Sequence, residues 1–318
     1  MAISKSQAFF ERLWYRPTPW WLWLFLPLQL LLRLVVLIRH SAYRFNFFKS
    51  TKLSRPVVVI GNITVGGTGK TPLAIHILQW LQKQGYKPGL VTRGYAGTAE
   101  NHPLVIDADT SAEISGDEPY LIFHKTQAMV VVDPIRSRGG QKLIDLGCDI
   151  VICDDGLQHY ALKRDLEIAV IDGSRGLGNG WLMPMGPLRE PKARLSAVDL
   201  QVINGQTMTL EPQAIQGLGH DKPLTVNTVN AVAAIGNPQR FFDTLSKEGF
   251  KVTAHSYPDH HRYQAGDFDN LKGPIVMTEK DAVKCHQFTN ERMYYLPVKT
   301  QLADDIEQKL QRQLLALL

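Results

Sequence analysis

Residues 56–85 read PVVVIGNITVGGTGKTPLAIHILQWLQKQG, and this stretch decides the fold. The run PVVVIGN at 56–62, which begins with five apolar, mostly β-branched residues, predicts a strand that is buried on both faces. A glycine-rich turn follows at 61–69, and the apolar spacing from 73 to 81 then predicts a helix with one apolar face. A buried strand, a glycine-rich loop and a helix in this order are typical of nucleotide-binding α/β proteins.

The glycine-rich turn has the residue types that a phosphate group needs. Glycines let backbone amides approach phosphate oxygens closely, and the start of the helix adds a favourable dipole. Lys70 supplies positive charge for the β- and γ-phosphates of ATP, and Thr71 supplies a hydroxyl for Mg²⁺. The common pattern GxxxxGK(S/T) has its first glycine at position 64, where this chain has threonine. The predicted nucleotide-binding residues are Thr64, Val65, Gly66, Gly67, Thr68, Gly69, Lys70 and Thr71.

Similar apolar runs recur along the chain at 89–94, 128–134, 149–155, 166–173 and 199–205. Their near-continuous hydrophobicity indicates strands buried on both faces, and therefore a mostly parallel sheet with crossover helices. Polar residues stand at or just past the ends of these strands, which is the edge where open α/β sheets bind ligands. These residues are Gly61, Asn62, Arg93, Asp133, Arg136, Arg138, Asp154, Asp155, Asp172 and Arg175. The sequence thus predicts an α/β fold with a P-loop NTPase-like, mostly parallel sheet domain.

A polar, Gly- and Pro-containing stretch at 206–230 interrupts this pattern and is interpreted as the end of the first domain and a linker. Beyond it, the patterns predict a smaller C-terminal α/β domain and a terminal amphipathic helix after Asp304. The predicted division is an N-terminal helical segment at 1–50, a P-loop domain at 51–225 and a C-terminal α/β domain at 226–318.

Composition limits the function classes. The chain has 318 residues, of which 44% are hydrophobic and 20% charged, which excludes a disordered chain and a polytopic membrane bundle. The net charge of +5 suits phosphates or an anionic membrane. We expect no nucleic-acid partner, because no basic stripe with interleaved aromatic residues is present. The three cysteines form no CxxC pair, so neither a zinc site nor a disulfide scaffold is supported.

The N-terminal run Trp20–Ile38, WWLWLFLPLQLLLRLVVLI, is long enough to span a membrane. Gln29, Arg33, His40 and Arg44 form a narrow polar stripe along it, which favours a helix lying at the membrane interface. Tryptophans at 14, 20, 21 and 23 and basic residues on both flanks suit lipid headgroups. The flanking basic residues are Arg12, Arg16, Arg39, Arg44, Lys49, Lys52 and Arg55. The alternative is an ordinary core helix, and the choice between a spanning and an interfacial helix stays open.

The run DIVICDDGLQH, 149–159, ends a predicted strand with two carboxylates. An acidic group at a strand end next to a phosphate loop is typical of an Mg²⁺ site, in which one or two carboxylates bind the ion directly or through water. Asp154 and Asp155 are therefore predicted metal-side residues, and which of them binds directly stays open. Without the phosphate loop, a turn or a helix cap would explain the pair equally well.

Together, these residues resemble the tetraacyldisaccharide 4'-kinases of Gram-negative bacteria, also called lipid A 4'-kinases. The matching stretches are GNITVGGTGKTP (61–72), VTRGY (91–95), SGDEP (115–119), DPIRSRGG (133–140), DDGLQH (154–159), IDGSRGLGNGWLMPMGPLREP (171–191), YPDHHRY (257–263) and MTEKDAVK (277–284). The resemblance implies transfer of the ATP γ-phosphate to the 4'-hydroxyl of an acylated glucosamine disaccharide 1-phosphate, giving lipid IVA. It also implies Mg²⁺, a location at the cytoplasmic face of the inner membrane and a catalytic domain in the cytosol, and we expect a monomer.

The resemblance also suggests a catalytic base. Asp117 of SGDEP resembles the catalytic aspartate of the family, and Glu118 is a neighbour that could tune it or the metal. A helix N-cap is the alternative role for Asp117. A histidine of YPDHHRY, with His260 favoured over His261, could pair with Asp117 across an interdomain cleft. The alternative for this histidine pair is a surface loop.

Arginines in the matching loops are candidates for gripping phosphate groups, because a guanidinium fits phosphate in a bidentate manner. They are Arg93, Arg136, Arg138, Arg175 and Arg189, and for each a solvated surface role is the alternative. A membrane-tethered P-loop nucleotide switch, an ATPase or GTPase, is the alternative function. A guanine-specific switch would need an NKxD-type motif. The chain has only TEKD at 278–281, in which the lysine and aspartate have the wrong spacing.

Overall fold

The structure is a computed structural model that describes residues 13–16 and 18–318. Arg12 and the rest of residues 1–12, to which the predicted N-terminal segment extends, lie outside the described residues. The described helices are α1 (Leu26–Arg44), α2 (Lys70–Lys83), α3 (Ala112–Ser115), α4 (Asp117–Thr126), α5 (Arg136–Asp145), α6 (Pro238–Lys247), α7 (Glu279–Ala282) and α8 (Asp304–Leu315). Short 3₁₀ segments lie at Trp20–Phe25, Lys192–Ala197, Ala265–Phe268 and His286–Phe288.

The described strands form two sheets. The strands are β1 (Val57–Gly61), β2 (Pro88–Thr92), β3 (Leu104–Val105), β4 (Met129–Val132), β5 (Ile150–Asp154), β6 (Leu166–Asp172), β7 (Leu200–Asn204), β8 (Met208–Pro212), β9 (Gln216–Gly217), β10 (Thr228–Ala233), β11 (Lys251–Ser256), β12 (Ile275–Thr278), β13 (Met293–Leu296) and β14 (Val298–Leu302). The first sheet has the order β14-β8-β7-β6-β1-β5-β2-β4-β3, and the second has the order β11-β10-β12-β13-β9. The first is parallel from β4 to β8, and the second is parallel except for β9.

The first sheet is buried on both faces, as the apolar runs predicted. Val58 and Ile60 of β1 pack under α2, while Val57 and Val59 pack into a separate cluster on the opposite face. Because successive side chains of a strand point to opposite faces, a run of apolar residues must have cover on both sides. The predicted strands at 56–62, 89–94, 128–134, 149–155, 166–173 and 199–205 are all strands of this sheet, so the α/β fold is confirmed.

Two segments differ from the predicted organisation. The predicted linker at 206–230 contains β8 of the first sheet and β9 of the second. The end of the chain also returns to the first sheet: β14 pairs with β8, and Leu302, Leu310 and Leu314 pack into the same core as α2. The two sheets therefore do not follow a division at 225/226. Only Pro297 separates β13 in the second sheet from β14 in the first.

The N-terminal helix, here the 3₁₀ segment Trp20–Phe25 with α1, lies against the rest of the protein along one side. Trp23 packs on Trp181 near its start, with ring centroids 5.4 Å apart, and His40 and Tyr43 pack on Tyr160 near its end. The helix is long and apolar enough to cross a membrane by length and composition, yet only 11% of its most apolar window is buried. A core helix, the alternative considered above, is therefore wrong for this segment.

The exposed side of the N-terminal helix is apolar. Its exposed large hydrophobic residues are Trp20, Trp23, Leu24, Leu28, Leu30, Leu31, Leu34, Val35, Leu37 and Ile38, and exposed Phe45, Phe47 and Phe48 follow it. The predicted polar stripe is split between the two sides. Gln29 is buried and His40 is half-buried against the body, while Arg33 and Arg44 are exposed.

Candidate active site

A cleft of 1470 Å³ lies between the two sheets. From the first sheet it is lined by residues 65–69 of the loop after β1, by residues 70–72 at the start of α2, by the end of β5 and by the start of α4. From the second sheet it is lined by the loop 235–238 and by residues around His260 and Lys280. The carboxyl ends of the parallel strands open into this cleft, so the predicted ligand edge faces a large concave space.

The loop 62–69, called the phosphate loop below, is held at both ends. Arg189 donates its backbone amide to Ile63, and the amide of Val65 donates to the carbonyl of Pro187. At the other end the side-chain amide of Asn204 donates to the carbonyl of Thr68 at 3.0 Å, and Gly69 adopts φ +102° just before α2. These contacts fix the loop independently of any ligand.

Thr64 occupies the position where the common pattern has glycine, and its surroundings explain why. The residue is buried, forms a β-bridge with Leu188 and does not have a positive φ angle. Glycine is required only where the backbone is left-handed or where another backbone approaches closely. Neither condition holds at this position, so threonine fits the loop.

Lys70 and Asp155 form the first charged pair of the cleft. Lys70 Nζ lies 3.2 Å from Asp155 Oδ1, and Arg189 contacts the same carboxylate at 3.1 Å. Burial raises the pKa of Asp155, but Lys70 and Arg189 outweigh burial and lower the pKa to about 2. Asp155 is therefore ionised and already engaged by two cations.

Asp154 has a different environment, although it is the adjacent residue. It is 1% exposed, and its Oδ1 atom has no hydrogen-bond partner among the described residues. Burial and the nearby Glu118 carboxylate raise the pKa of Asp154 to about 7, against the opposing effect of Lys70. A buried carboxylate oxygen without a donor is costly, and a cation would offset that cost.

The donor set of this corner fits Mg²⁺. The Asp154 oxygen, the Thr71 hydroxyl at the start of α2 and the Glu118 carboxylate are the oxygen donors that line or border it. Mg²⁺ takes one or two protein carboxylates and keeps several waters. Within residues 13–16 and 18–318 no group of three or more His, Cys, Asp or Glu side chains is placed to hold a metal ion.

Asp117, buried at the start of α4, is in contact with His260, which lines the cleft from the side of the second sheet. His260 Nδ1 lies 3.1 Å from Asp117 Oδ2, and Lys284 Nζ lies 3.7 Å from the same oxygen. Burial raises the pKa of Asp117, but the His260 hydrogen bond, Lys284 and Lys280 together bring it below its ordinary value. Gly116, not Asp117, is the N-cap of α4. The cap alternative for Asp117 therefore does not describe its contacts.

Glu118 is oriented by a lysine of the second sheet. Lys280 Nζ lies 2.8 Å from Glu118 Oε1. Burial raises the pKa of Glu118, but Lys280 and Lys70 lower it to about 2. The two adjacent carboxylates of SGDEP thus have different nearest partners. Lys280 contacts Glu118, whereas His260 and Lys284 contact Asp117.

The two adjacent histidines point to different places. His260 adopts φ +60°, lines the cleft and packs beside the Tyr95 ring at 4.9 Å. His261 lies outside the cleft lining, 3.1 Å from Asp267 and stacked on Tyr257. His260, the favoured member of the pair, is therefore the one brought to Asp117.

The five predicted phosphate-binding arginines divide into two groups. Arg93, Arg175 and Arg189 line the cleft. Arg136 is buried and donates to backbone carbonyls of Asp133 and Asp154, and Arg138 pairs with the Asp133 carboxylate. The second group does not line the cleft and instead ties strand ends to α5.

Sequence reasoning missed the residues that hold the others in place. Asn204, Lys280 and Lys284 were not singled out, although Asn204 ends a predicted strand and both lysines belong to MTEKDAVK. Their contacts join segments more than 100 residues apart, such as Asn204 with Thr68 and Lys280 with Glu118. Only the position of Asn204 at a strand end was a signal for its role.

Several known proteins are similar to this chain over most of its length. A family model described as tetraacyldisaccharide-1-P 4'-kinase matches residues 21–317. Curated proteins named tetraacyldisaccharide 4'-kinase are similar over most of the chain. The one from Tolumonas auensis is 44% identical over 96% of this chain and 97% of its own, and the one from Psychromonas ingrahamii is 45% identical over 93% and 96%. A crystal structure of LpxK from Aquifex aeolicus in complex with ATP is 28% identical, with a TM-score of 0.79 over 92% of this chain and 98% of that one.

Proposed function

This chain belongs to the tetraacyldisaccharide-1-P 4'-kinase family, and from that premise we propose how its cleft performs the reaction. The chain is a kinase of lipid A biosynthesis that transfers the γ-phosphate of ATP to the 4'-hydroxyl of tetraacyldisaccharide 1-phosphate, forming lipid IVA. The observation that carries the assignment of the site is that His260, which contacts Asp117, lines the same cleft as the phosphate loop. The alternative of a nucleotide switch has no comparable support.

The phosphate loop is the proposed binding site of the ATP phosphates. Its backbone amides and the start of α2 attract the phosphate oxygens, and Lys70 supplies the positive charge that phosphoryl transfer needs. The loop is preformed by the contacts of Asn204 and Arg189, so little ordering is needed when ATP binds. When ATP binds, Lys70 leaves Asp155 and contacts the phosphates instead.

Asp117 is the proposed catalytic base. Its Oδ2 atom receives the His260 hydrogen bond, while no described residue bonds to Oδ1. The Oδ1 atom accepts the proton as the 4'-hydroxyl O–H bond breaks, the sugar oxygen forms the new bond to the γ-phosphorus, and ADP leaves. The lowered pKa of Asp117 keeps it ionised before the step, so it is ready to receive the proton.

Mg²⁺ is the proposed metal, held by Asp154 with Thr71 and with Glu118 and Asp155 nearby. When bound, it supplies positive charge that offsets the charge of the transferring phosphate. The support for Asp154 as the direct ligand is its unpartnered buried oxygen, whereas both contacts of Asp155 are to cations.

The cleft arginines are the proposed anion contacts. Arg93 is exposed at the rim and is suited to the 1-phosphate of the lipid. Arg175 and Arg189 lie beside the phosphate loop and are suited to the nucleotide. For Arg136 and Arg138 the contacts support a role in holding the strand ends, so neither is included among the substrate contacts.

The N-terminal helix is the proposed membrane contact, at the cytoplasmic face of the inner membrane and with the cleft in the cytosol. Both ends of the helix touch the same body, at Trp181 and at Tyr160. A helix that crosses a bilayer perpendicularly moves its far end about 30 Å away from that body. These contacts support a helix lying in the interface with its leucine side toward the acyl chains. We also propose that the protein acts as a monomer, because its own fold brings the phosphate loop and the Asp117–His260 contact together.

The test is transfer of labelled γ-phosphate from ATP to the acylated disaccharide 1-phosphate in detergent micelles. Wild type, Lys70→Ala and Asp117→Asn are compared, and both variants are expected to lose activity by a factor on the order of 10²–10⁴. ATP hydrolysis without labelled lipid would favour the nucleotide switch. Wild-type transfer that survives in Asp117→Asn would remove Asp117 from the role of base while leaving the kinase function in place.

A further inference from the structure

The segment 279–284, called the EKDAVK turn below, is a rigid part of the second sheet that the reaction described so far does not use. It follows β12 and begins with the Thr278 side chain accepting a hydrogen bond from the Asp281 amide. Asp281 is fully buried, and its Oδ2 atom accepts hydrogen bonds from the Ala234 amide and the Thr278 hydroxyl. The turn is therefore fixed to two neighbouring parallel strands, β10 and β12.

Lys280 projects from this turn into the cleft and has three acceptors around one ammonium group. Its Nζ atom lies 2.8 Å from Glu118 Oε1, 3.3 Å from His260 Nε2 and 3.4 Å from Asp259 Oδ1. A lysine ammonium has three N–H donors and no acceptor. Each donor thus has one partner, and the two carboxylates balance the positive charge.

This arrangement determines which ring nitrogen of His260 holds the proton. Because Lys280 can only donate, Nε2 must be the acceptor, and in neutral imidazole the other nitrogen then has the N–H. That nitrogen is Nδ1, which lies 3.1 Å from Asp117 Oδ2. The groups that face His260 are Asp117, Asp259, Lys280 and the Tyr95 ring.

Lys284 extends the same arrangement to the base itself. It is almost fully buried, lies 2.7 Å from Asp281 and 3.7 Å from Asp117, and stands over the Tyr263 ring at 5.0 Å. Asp117 is thus held between His260 on one side and a lysine charge on the other. One turn of chain presents two lysines to two adjacent carboxylates, Lys280 to Glu118 and Lys284 to Asp117.

We propose that Lys280 is a positioning residue that fixes His260 as the neutral tautomer protonated at Nδ1, so that His260 donates to Asp117 and leaves the other Asp117 oxygen free for the substrate hydroxyl. The inference rests on the proposed function, because it concerns the partner of the proposed base. It assigns a role to the MTEKDAVK stretch. A lysine from the second sheet would then orient the proposed base, Asp117, which lies on the side of the first sheet.

The direct test is the ring nitrogen signature of His260 in the full-length protein in detergent. Protein labelled with ¹⁵N at histidine gives distinct nitrogen shifts for the two neutral tautomers, and the His260 signals are those lost in His260→Gln. We expect the Nδ1-protonated form in wild type and a mixture of tautomers in Lys280→Met. An Nε2-protonated His260 in wild type would overturn the proposal without any variant having to fold.

Kinetics give a second test. Lys280→Met is expected to lower kcat by about 10- to 100-fold while both KM values change by less than about threefold, and Lys280→Arg, which keeps the donors, is expected to recover part of kcat. Lys272→Met, at an exposed lysine outside the cleft, is the matched control. Wild-type kcat in Lys280→Met would overturn the inference alone, whereas the absence of labelled lipid from wild type would overturn the proposed function.

Discussion

Gly67 and Gly236 face each other across the cleft so closely that a Cβ atom on Gly236 would lie 2.5 Å from the backbone nitrogen of Gly67. Gly67 belongs to the phosphate loop, and Gly236 belongs to the loop between β10 and α6. The Arg175 guanidinium donates to the carbonyl oxygens of both, at 2.8 Å and 3.1 Å. The two halves of the cleft therefore meet backbone to backbone at the proposed nucleotide site.

Gly236→Ala should weaken ATP binding. The added methyl group meets backbone atoms, which cannot rotate away as a flexible side chain can, so the phosphate loop or its neighbour must shift. We expect KM for ATP to rise by about 10-fold with a smaller change in KM for the lipid, because displacement of a positioning loop is costly. Gly266→Ala is the control, since the nearest atom to its new methyl group lies 3.8 Å away. Equal KM values for ATP in both variants would contradict the prediction.

His260→Gln and His261→Gln should differ sharply although they change adjacent residues. Loss of His260 removes the donor to Asp117, and we expect kcat to fall by a factor on the order of 10². His261→Gln should keep kcat within about twofold and cost about 1 kcal/mol of unfolding free energy, because the contacts it loses, with Asp267 and with the Tyr257 ring, lie outside the cleft lining. Steady-state kinetics and thermal unfolding on both proteins check this, and similar kcat losses would argue against His260 as the partner of the base.

Asp154→Asn should stabilise the nucleotide-free protein while abolishing activity. The folded-state pKa of Asp154, raised to about 7 by burial and Glu118, lies above the ordinary value of 3.8. Between those values the folded protein retains a proton that the unfolded chain has lost, so the free energy of unfolding falls as pH rises from about 4 to 7. Asparagine does not ionise and avoids this loss.

Urea unfolding without divalent cations measures the effect of Asp154→Asn. The gain over wild type should be small near pH 4 and reach the order of 2–4 kcal/mol at pH 8. Asp155→Asn is the matched comparison, because the pKa of Asp155 is lowered and its neutralisation removes two ion pairs. It should destabilise the protein near neutral pH, and an increase in stability for both variants would contradict the contrast between the two carboxylates.

Leu31→Asp with Val35→Asp should detach the protein from membranes without unfolding it. Both side chains are exposed on the apolar side of the N-terminal helix, at 56% and 51%. A charged residue in apolar lipid costs about 2.5–3.5 kcal/mol, whereas the same change in water costs the fold little. Co-sedimentation with vesicles of phosphatidylethanolamine and phosphatidylglycerol is the measurement. Leu146→Asp, at an exposed leucine after α5, should bind vesicles like wild type.

The parallel core and the phosphate loop could be predicted because their signals are local. A strand buried on both faces must be apolar along its length, and a phosphate loop requires glycine and lysine at fixed spacing, so residues 56–85 alone indicate both. The family resemblance also places Asp117 next to a histidine. The left-handed backbone at His260 turns the side chains of His260 and His261 apart. Two adjacent histidines in a sequence do not predict such a backbone angle.

Other parts of the structure depend on tertiary contacts that no local pattern predicts. The strand Gln216–Gly217 has two residues, too short for any periodicity, and exists because it pairs with Tyr294 and Tyr295. Arg136 was expected among the phosphate contacts because it follows a strand end. Its guanidinium instead satisfies carbonyls of Asp133 and Asp154, and such a role depends on where β5 lies relative to β4.

Pro297 gives the molecule a mechanical property. A single residue links the last parallel strand of the second sheet to β14 at the edge of the first, and the proline ring fixes its own φ angle. A joint with so few free torsions has almost no slack. A one-residue connection keeps the end of β13 next to the start of β14, so any movement of the second sheet around ATP must turn about this point and cannot separate the two sheets here.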